Sequence, residues 1–258
     1  AGAALTSGAG NTAVGYHAGQ VVTEGAYNTV LGYEAFNAAA VGESNNIAIG
    51  YDTMGEMDEG TSGGIDYNIA IGRSALKGAD YGTSSTVTSG NIAIGHFAME
   101  STGTNAHVGT TAIGYSALYA LTSGARNEAI GYQTLDALTQ GDDNLAIGYQ
   151  AMSALSTTDV SDKNIAIGNY AMDGVSTLAA TENVFIGYSS GGGAWTGTLS
   201  AYNVGVGNYV MDDAMNAAEY NTAIGHHALG SLTTGVRNTA LGSTSLKSLT
   251  TGDHNVAV

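Results

Sequence analysis

The chain is 258 residues long, with 39 glycines, no proline, no cysteine and a net charge of −16. Absent cysteine excludes disulfides and thiol chemistry, while absent proline and an irregular glycine period exclude collagen. Twenty-two acidic residues against six basic ones leave no cationic stripe for nucleic acid, and anionic lipid would repel the surface.

The first element opens at Asn11 with "NTAVGYHAG" (11–19), and the same phrase returns along the chain. It reads "NIAIGYDTM" at 46–54, "NLAIGYQAM" at 144–152, "NIAIGNYAM" at 164–172 and "NTAIGHHAL" at 221–229. Fourteen anchors follow: Asn11, Asn28, Asn46, Asn68, Asn91, Thr110, Asn127, Asn144, Asn164, Asn183, Asn203, Asn221, Asn238 and Asn255. The interval never falls below 17 residues or exceeds 23, and every longer repeat carries its extra residues after the phrase. A fixed coil with its insertions pushed into one loop is the signature of a solenoid. No run of 18 apolar residues is present to span a membrane as a helix.

Within each phrase the fourth position is a branched aliphatic and the third is nearly always Ala, with Val30, Phe185 and Gly205 as exceptions. Short aliphatic runs bounded by Asn and Gly predict strands, and period-two alternation puts the two positions on opposite faces. The expectation is that the large aliphatic fills the coil. The small Ala face then approaches a second surface, either the opposite wall or a neighbouring chain of a trimer. Asn11, Asn28, Asn46 and Asn144 are read as corner residues whose amides pair with those of adjacent coils. Gly15, Gly50 and Gly148 are read as a second corner, where a Cβ would clash or positive φ is needed.

Tyr follows the Gly in seven repeats, which suits either an aromatic ladder or a sugar-binding stripe. Four residues after the Gly stands a second apolar anchor, such as Met54, Leu76 or Met152, broken only by Gly19 and Gly191. This predicts another buried strand or turn. Each coil is therefore two apolar segments joined by two turns.

From "NTAVGY" to the closing "NVAV", the chain resembles the shaft repeats of bacteriophage tail-fibre proteins. More loosely, it is similar to the head repeats of trimeric autotransporter adhesins, which are shorter and more even. The resemblance implies an all-β fold: a parallel β-solenoid or β-roll, here of about 13 coils in one repetitive domain spanning 1–258. It further implies a homotrimeric fibre shaft or adhesin, in a virion or at a cell surface, that mediates attachment to a glycan or protein receptor. The chain opens just past a Gly-Tyr corner and ends just before one. It therefore reads as a segment of a longer shaft or as a subunit stacking end to end in a filament.

Catalysis needs convergent groups. Asp142–Asp143, Asp212–Asp213 and the group Glu56, Asp58 and Glu59 all fall in insertion loops, so no enzyme is expected. Calcium is the one ion such loops could take, yet no Asp-x-Asp-Gly spacing occurs, and no cofactor is expected. The six histidines are scattered, and His226–His227 in a strand would point to opposite faces. The inserts at 55–67, 77–90, 189–202 and 211–220 are the candidate contact regions. Trp195 and Tyr202 in the third are the candidate ligand contacts, and they motivate a rival reading as a carbohydrate-binding or carbohydrate-cleaving solenoid.

Overall fold

The computed structural model describes residues 1–2, 6–38, 42–57, 64–78, 87–103, 105–155, 161–175, 180–195 and 199–258. The fold is an all-β parallel solenoid, with no helix among the described residues. The chain forms two compact units, Ala1–Asn127 and Glu128–Val258. In the first, six three-residue strands stack in parallel, among them Thr12–Val14, Ile47–Ile49 and Thr111–Ile113. In the second, seven three-residue strands from Glu128–Ile130 onward and the two-residue Val256–Ala257 do so. The register is one phrase on the next: Ile47 pairs with Ile69, Ala48 with Ala70 and Ile49 with Ile71. Longer repeats use their extra residues to lay down further short sheets. One, in the first unit, comprises Gly64–Asp66, Val87–Ser89 and His107–Val108; the other, in the second, pairs Ala180–Thr181 with Ser200–Ala201.

The direction of the principal strands corrects one expectation. Ala48, Ala70, Ala93, Ala146 and Ala166 are fully buried, so the Ala row lines the inside of the coil. The branched aliphatics face out: Val14 is 56 % exposed and Ile224 44 % exposed. A coil of about 17 residues encloses little space, and that space is taken by two other rows. One is the second anchor, Met54, Leu76, Met99, Leu118, Leu135 and Met152; the other follows three residues later, as Met57, Leu121, Leu138 and Leu155. Only a methyl group fits opposite them. The second anchor is a tight turn rather than a strand, with Met54, Leu76 and Met152 at φ near +50°.

The exceptions in these rows form a matched set. Phe185 puts a large ring where Ala belongs. In the same coil Gly191 stands where Met or Leu belongs, and a Cβ there would lie 2.9 Å from the Phe185 ring. In the next coil Gly205 replaces Ala, and its Cβ would meet that ring at 2.5 Å. Size removed at two positions accommodates size added at one, which keeps the interior at normal density.

Candidate functional site

Both expected corners are present. In the second unit, Asn164 Nδ2 donates to Asn144 Oδ1 at 3.1 Å and to the Ala180 carbonyl at 2.6 Å. Its Oδ1 accepts from the backbone N–H and the Nδ2 of Asn183, both at 3.2 Å. Asn11, Asn28 and Asn46 run the same ladder in the first unit. Nearly all the hydrogen-bonding capacity of these buried amides is met by neighbours, so they are structural and hold nothing for a ligand. Thr110 is the defect: its N–H donates to Asn91 Oδ1, but its buried hydroxyl has no partner. Gly15, Gly50 and Gly148 have φ of +132°, +142° and +137°. A Cβ on any of them would lie 2.1–2.5 Å from the carbonyl oxygen of the corner glycine one coil on.

Trp195 is not a surface residue. It is 2 % exposed, its Nε1 donates to the Gly191 carbonyl at 3.0 Å, and its ring meets Phe185 edge to face at 5.9 Å. It bridges in parallel with Val175, in the interior row of Leu138 and Leu155, and fills space that Gly191 leaves open. A buried indole offers no ring to a ligand. Tyr202 is 41 % exposed and stacks on Tyr220 at 4.8 Å, with the Arg237 guanidinium 5.4 Å from the Tyr220 ring.

The acidic groups do not converge. Glu56 and Asp52 both pair with Lys77, at 3.0 and 3.1 Å, beside an open groove of about 440 Å³ also lined by Glu100 and Tyr119. Asp58 and Glu59 lie outside the described residues. No group of three metal-ligating side chains occurs among the described residues. His226 and His227 sit in a corner turn rather than a strand, with rings in edge contact at 4.3 Å. His107 is buried between the Thr102 carbonyl at 2.5 Å and the Gly124 carbonyl at 3.3 Å, and burial lowers its pKa.

Two surfaces carry chemistry. The first is the outer sheet face of each unit, where the second and fourth phrase positions project. In the first unit it carries Ile47, Ile49, Ile69, Ile71, Ile92 and Ile94, none of them buried. In the second it carries Leu145, Ile147, Ile165, Ile167, Val184 and Ile186, and its one charge is Glu128. A regular apolar face of this kind is unusual for a lone soluble molecule.

The second surface is the aromatic corner beside it. Tyr16, Tyr33 and Tyr51 stack nearly parallel at 5.0 and 5.4 Å, as do Tyr132 and Tyr149 at 5.2 Å. Beyond Tyr149 the stack changes, because Asn169 and Asn208 take the Tyr place and Tyr170 and Tyr209 follow one residue later. Tyr170 meets Tyr149 and Tyr188 edge to face, at interplanar angles of 68° and 77°. Tyr209 meets Tyr188 at 65°.

A row of half-buried carboxylates runs alongside, Asp136, Asp173 and Asp212, with Ser153 and Gly192 at the intervening coils. Burial raises all three pKa values, that of Asp173 to about 6. A raised carboxyl contributes stability that is complete below its ordinary value of 3.8 and is lost as pH rises through about 6. Solvent screens half of the group, so the loss is about 1 kcal/mol. Asp173→Asn should therefore be more stable than the parent by about that amount at pH 8 and equal to it near pH 4. Urea unfolding at the two pH values reads this directly, and an equal difference at both would exclude charge as the cause.

No family model, curated protein or solved structure matches this chain.

Proposed function

We propose that the chain is a non-enzymatic structural protein: a solenoid segment of a phage tail fibre or cell-surface appendage, assembled as a homotrimer and serving attachment. The observation that supports this most is the outward row of branched aliphatics. Isolated exposed apolar residues are ordinary, but an unbroken in-register face matches a face of the same kind on a second copy. Coils spaced about 4.8 Å apart give every copy the same period, so like faces interdigitate along their whole length. The acidic remainder of the surface keeps such assemblies dispersed.

Light scattering on the purified chain tests the reading. The expected mass is three times 25.8 kDa. Ile147→Lys, a charge placed within the apolar face of the second unit, should reduce it to the monomer with an unchanged far-UV spectrum. A monomeric parent chain would defeat the trimer. A concentration-dependent ladder of larger masses would favour the end-to-end filament instead.

A further inference from the structure

The hexapeptide "GNYAMD" at 168–173 recurs as "GNYVMD" at 207–212. One coil separates them, and that coil reads "GYSSGG" at the equivalent place, 187–192. The duplication sits where the aromatic stack changes form. In each copy the Asn side chain is fixed by its oxygen: Asn169 Oδ1 accepts from the Tyr149 N–H and Asn208 Oδ1 from the Tyr188 N–H, both at 2.9 Å. Each Nδ2 is left without a protein partner among the described residues, on an exposed Asn. Each Tyr leaves the parallel stack at its junction with Tyr188, which it meets at 77° and 65°; Tyr209 stacks instead on His227, at 5.0 Å and 13°. Burial, followed by Tyr149, Tyr188 and Asp173, raises the Tyr170 phenol pKa, and a Cβ at Gly192 would come within 3.1 Å of Asp173 Oδ1. Glycine there keeps the floor between the two copies open.

From this duplication we infer a binding site for an extended neutral β-1,4-linked glycan, with two related subsites, Asn169–Tyr170–Asp173 and Asn208–Tyr209–Asp212, the second backed by His227. The tyrosine offers an apolar face to the C–H side of a pyranose. The amide donates to a hydroxyl and the carboxylate accepts from one. Two coils span about 9.6 Å, comparable with the disaccharide repeat of an extended β-1,4 chain, in which every second ring presents the same side. The ligand is neutral because the carboxylates and the chain's net charge of −16 repel anionic polymers. The site belongs to one chain and does not depend on the trimer proposed above.

Titration calorimetry of the full chain with chitohexaose and cellohexaose tests the site. At least one hexasaccharide should bind, at least tenfold more tightly than its disaccharide. The double variant Tyr170→Ala/Tyr209→Ala should weaken binding at least tenfold. Tyr132→Ala, which removes a more exposed ring from the parallel stack, should leave it unchanged. Asn169→Asp/Asn208→Asp retains the acceptor for each N–H and replaces the donor with a charged oxygen, so a fold kept intact with weaker binding of these neutral sugars separates recognition from structure. Silence with both hexasaccharides at millimolar concentration would overturn the site. So would equal binding of an α-1,6 dextran oligomer, or an equal loss in Tyr132→Ala. The oligomeric mass of each sample is read independently, so a failed glycan site leaves the assembly proposal standing.

Discussion

Asn164→Ala is expected to cost about 3–5 kcal/mol, among the largest single losses available to the molecule. The substitution removes two donated and two accepted hydrogen bonds at once. It strands the Ala180 carbonyl and leaves both the backbone N–H and the Nδ2 of Asn183 without Asn164 Oδ1, all in the buried interior. Each unsatisfied buried group costs about 1–3 kcal/mol. Because a solenoid is stabilised coil by coil, the damage should begin locally. Hydrogen exchange should accelerate first at the amides of 165–167 and 184–186, before the whole chain melts. The converse change is available at Thr110, where Asn would restore the amide that every other anchor possesses. Thr110→Asn should stabilise by about 1 kcal/mol. If Asn164→Ala lost less than 1 kcal/mol, the amide ladder would be ornament rather than support.

Gly168→Ala should be at least as damaging, for a different reason. Gly168 has φ of +139°, a region open essentially to glycine alone. Its Cβ would lie 2.3 Å from the Gly187 carbonyl oxygen and 2.6 Å from the carbonyl carbon, so the obstacle is backbone that cannot turn aside. Strain and clash act together, and a loss above about 4 kcal/mol, or failure to accumulate folded protein, is expected. Gly64→Ala is the control. Its Cβ would meet only the flexible Asp66 carboxylate, at 3.3 Å, and a change within about 0.5 kcal/mol is expected. Thermal unfolding of the two variants side by side checks both. A Gly168→Ala chain as stable as Gly64→Ala would mean the corner can open.

The frame of the molecule was legible because its constraints are repeated. An Asn at nearly every anchor and a Gly five places into each phrase leave few explanations besides a ladder and a tight corner. The parallel register then follows from aligning one phrase on the next. The inside and outside of the strand were read the wrong way round, since alternation marks two faces without saying which is buried. The deciding signal lies in the second phrase position, which shares a face with the large aliphatics. Thr12, Thr29, Thr222 and Glu128 occupy it, and a carboxylate in that row belongs in water. The ligand-contact reading of Trp195 fails, because an indole among glycines suits a plug in the side of the coil as well as a loop tip. Its burial depends on Phe185, Gly191 and Gly205 changing size together, and no one of those positions announces that alone. The paired Asn-Tyr-Asp sets were also missed. Each looks like ordinary drift within a tolerant corner until the alternate-coil spacing is laid over it.

Besides its glycine corner, each coil bends through left-handed residues at up to three further places, such as Gln150, Met152 and Lys163, or Tyr170, Met172 and Glu182. An isolated segment would avoid such a path, since each of these conformations costs about 1–2 kcal/mol for an L-residue. What imposes the path is the coil on either side: Tyr149 and Asp162 of the preceding coil accept from Tyr170 and Glu182, while Met172 donates onward to the Ser190 carbonyl. Growth is thus templated: every new turn copies its predecessor's shape. Genetic change of length should follow the same grain, with whole coils added or lost freely and a single residue gained inside a phrase rejected.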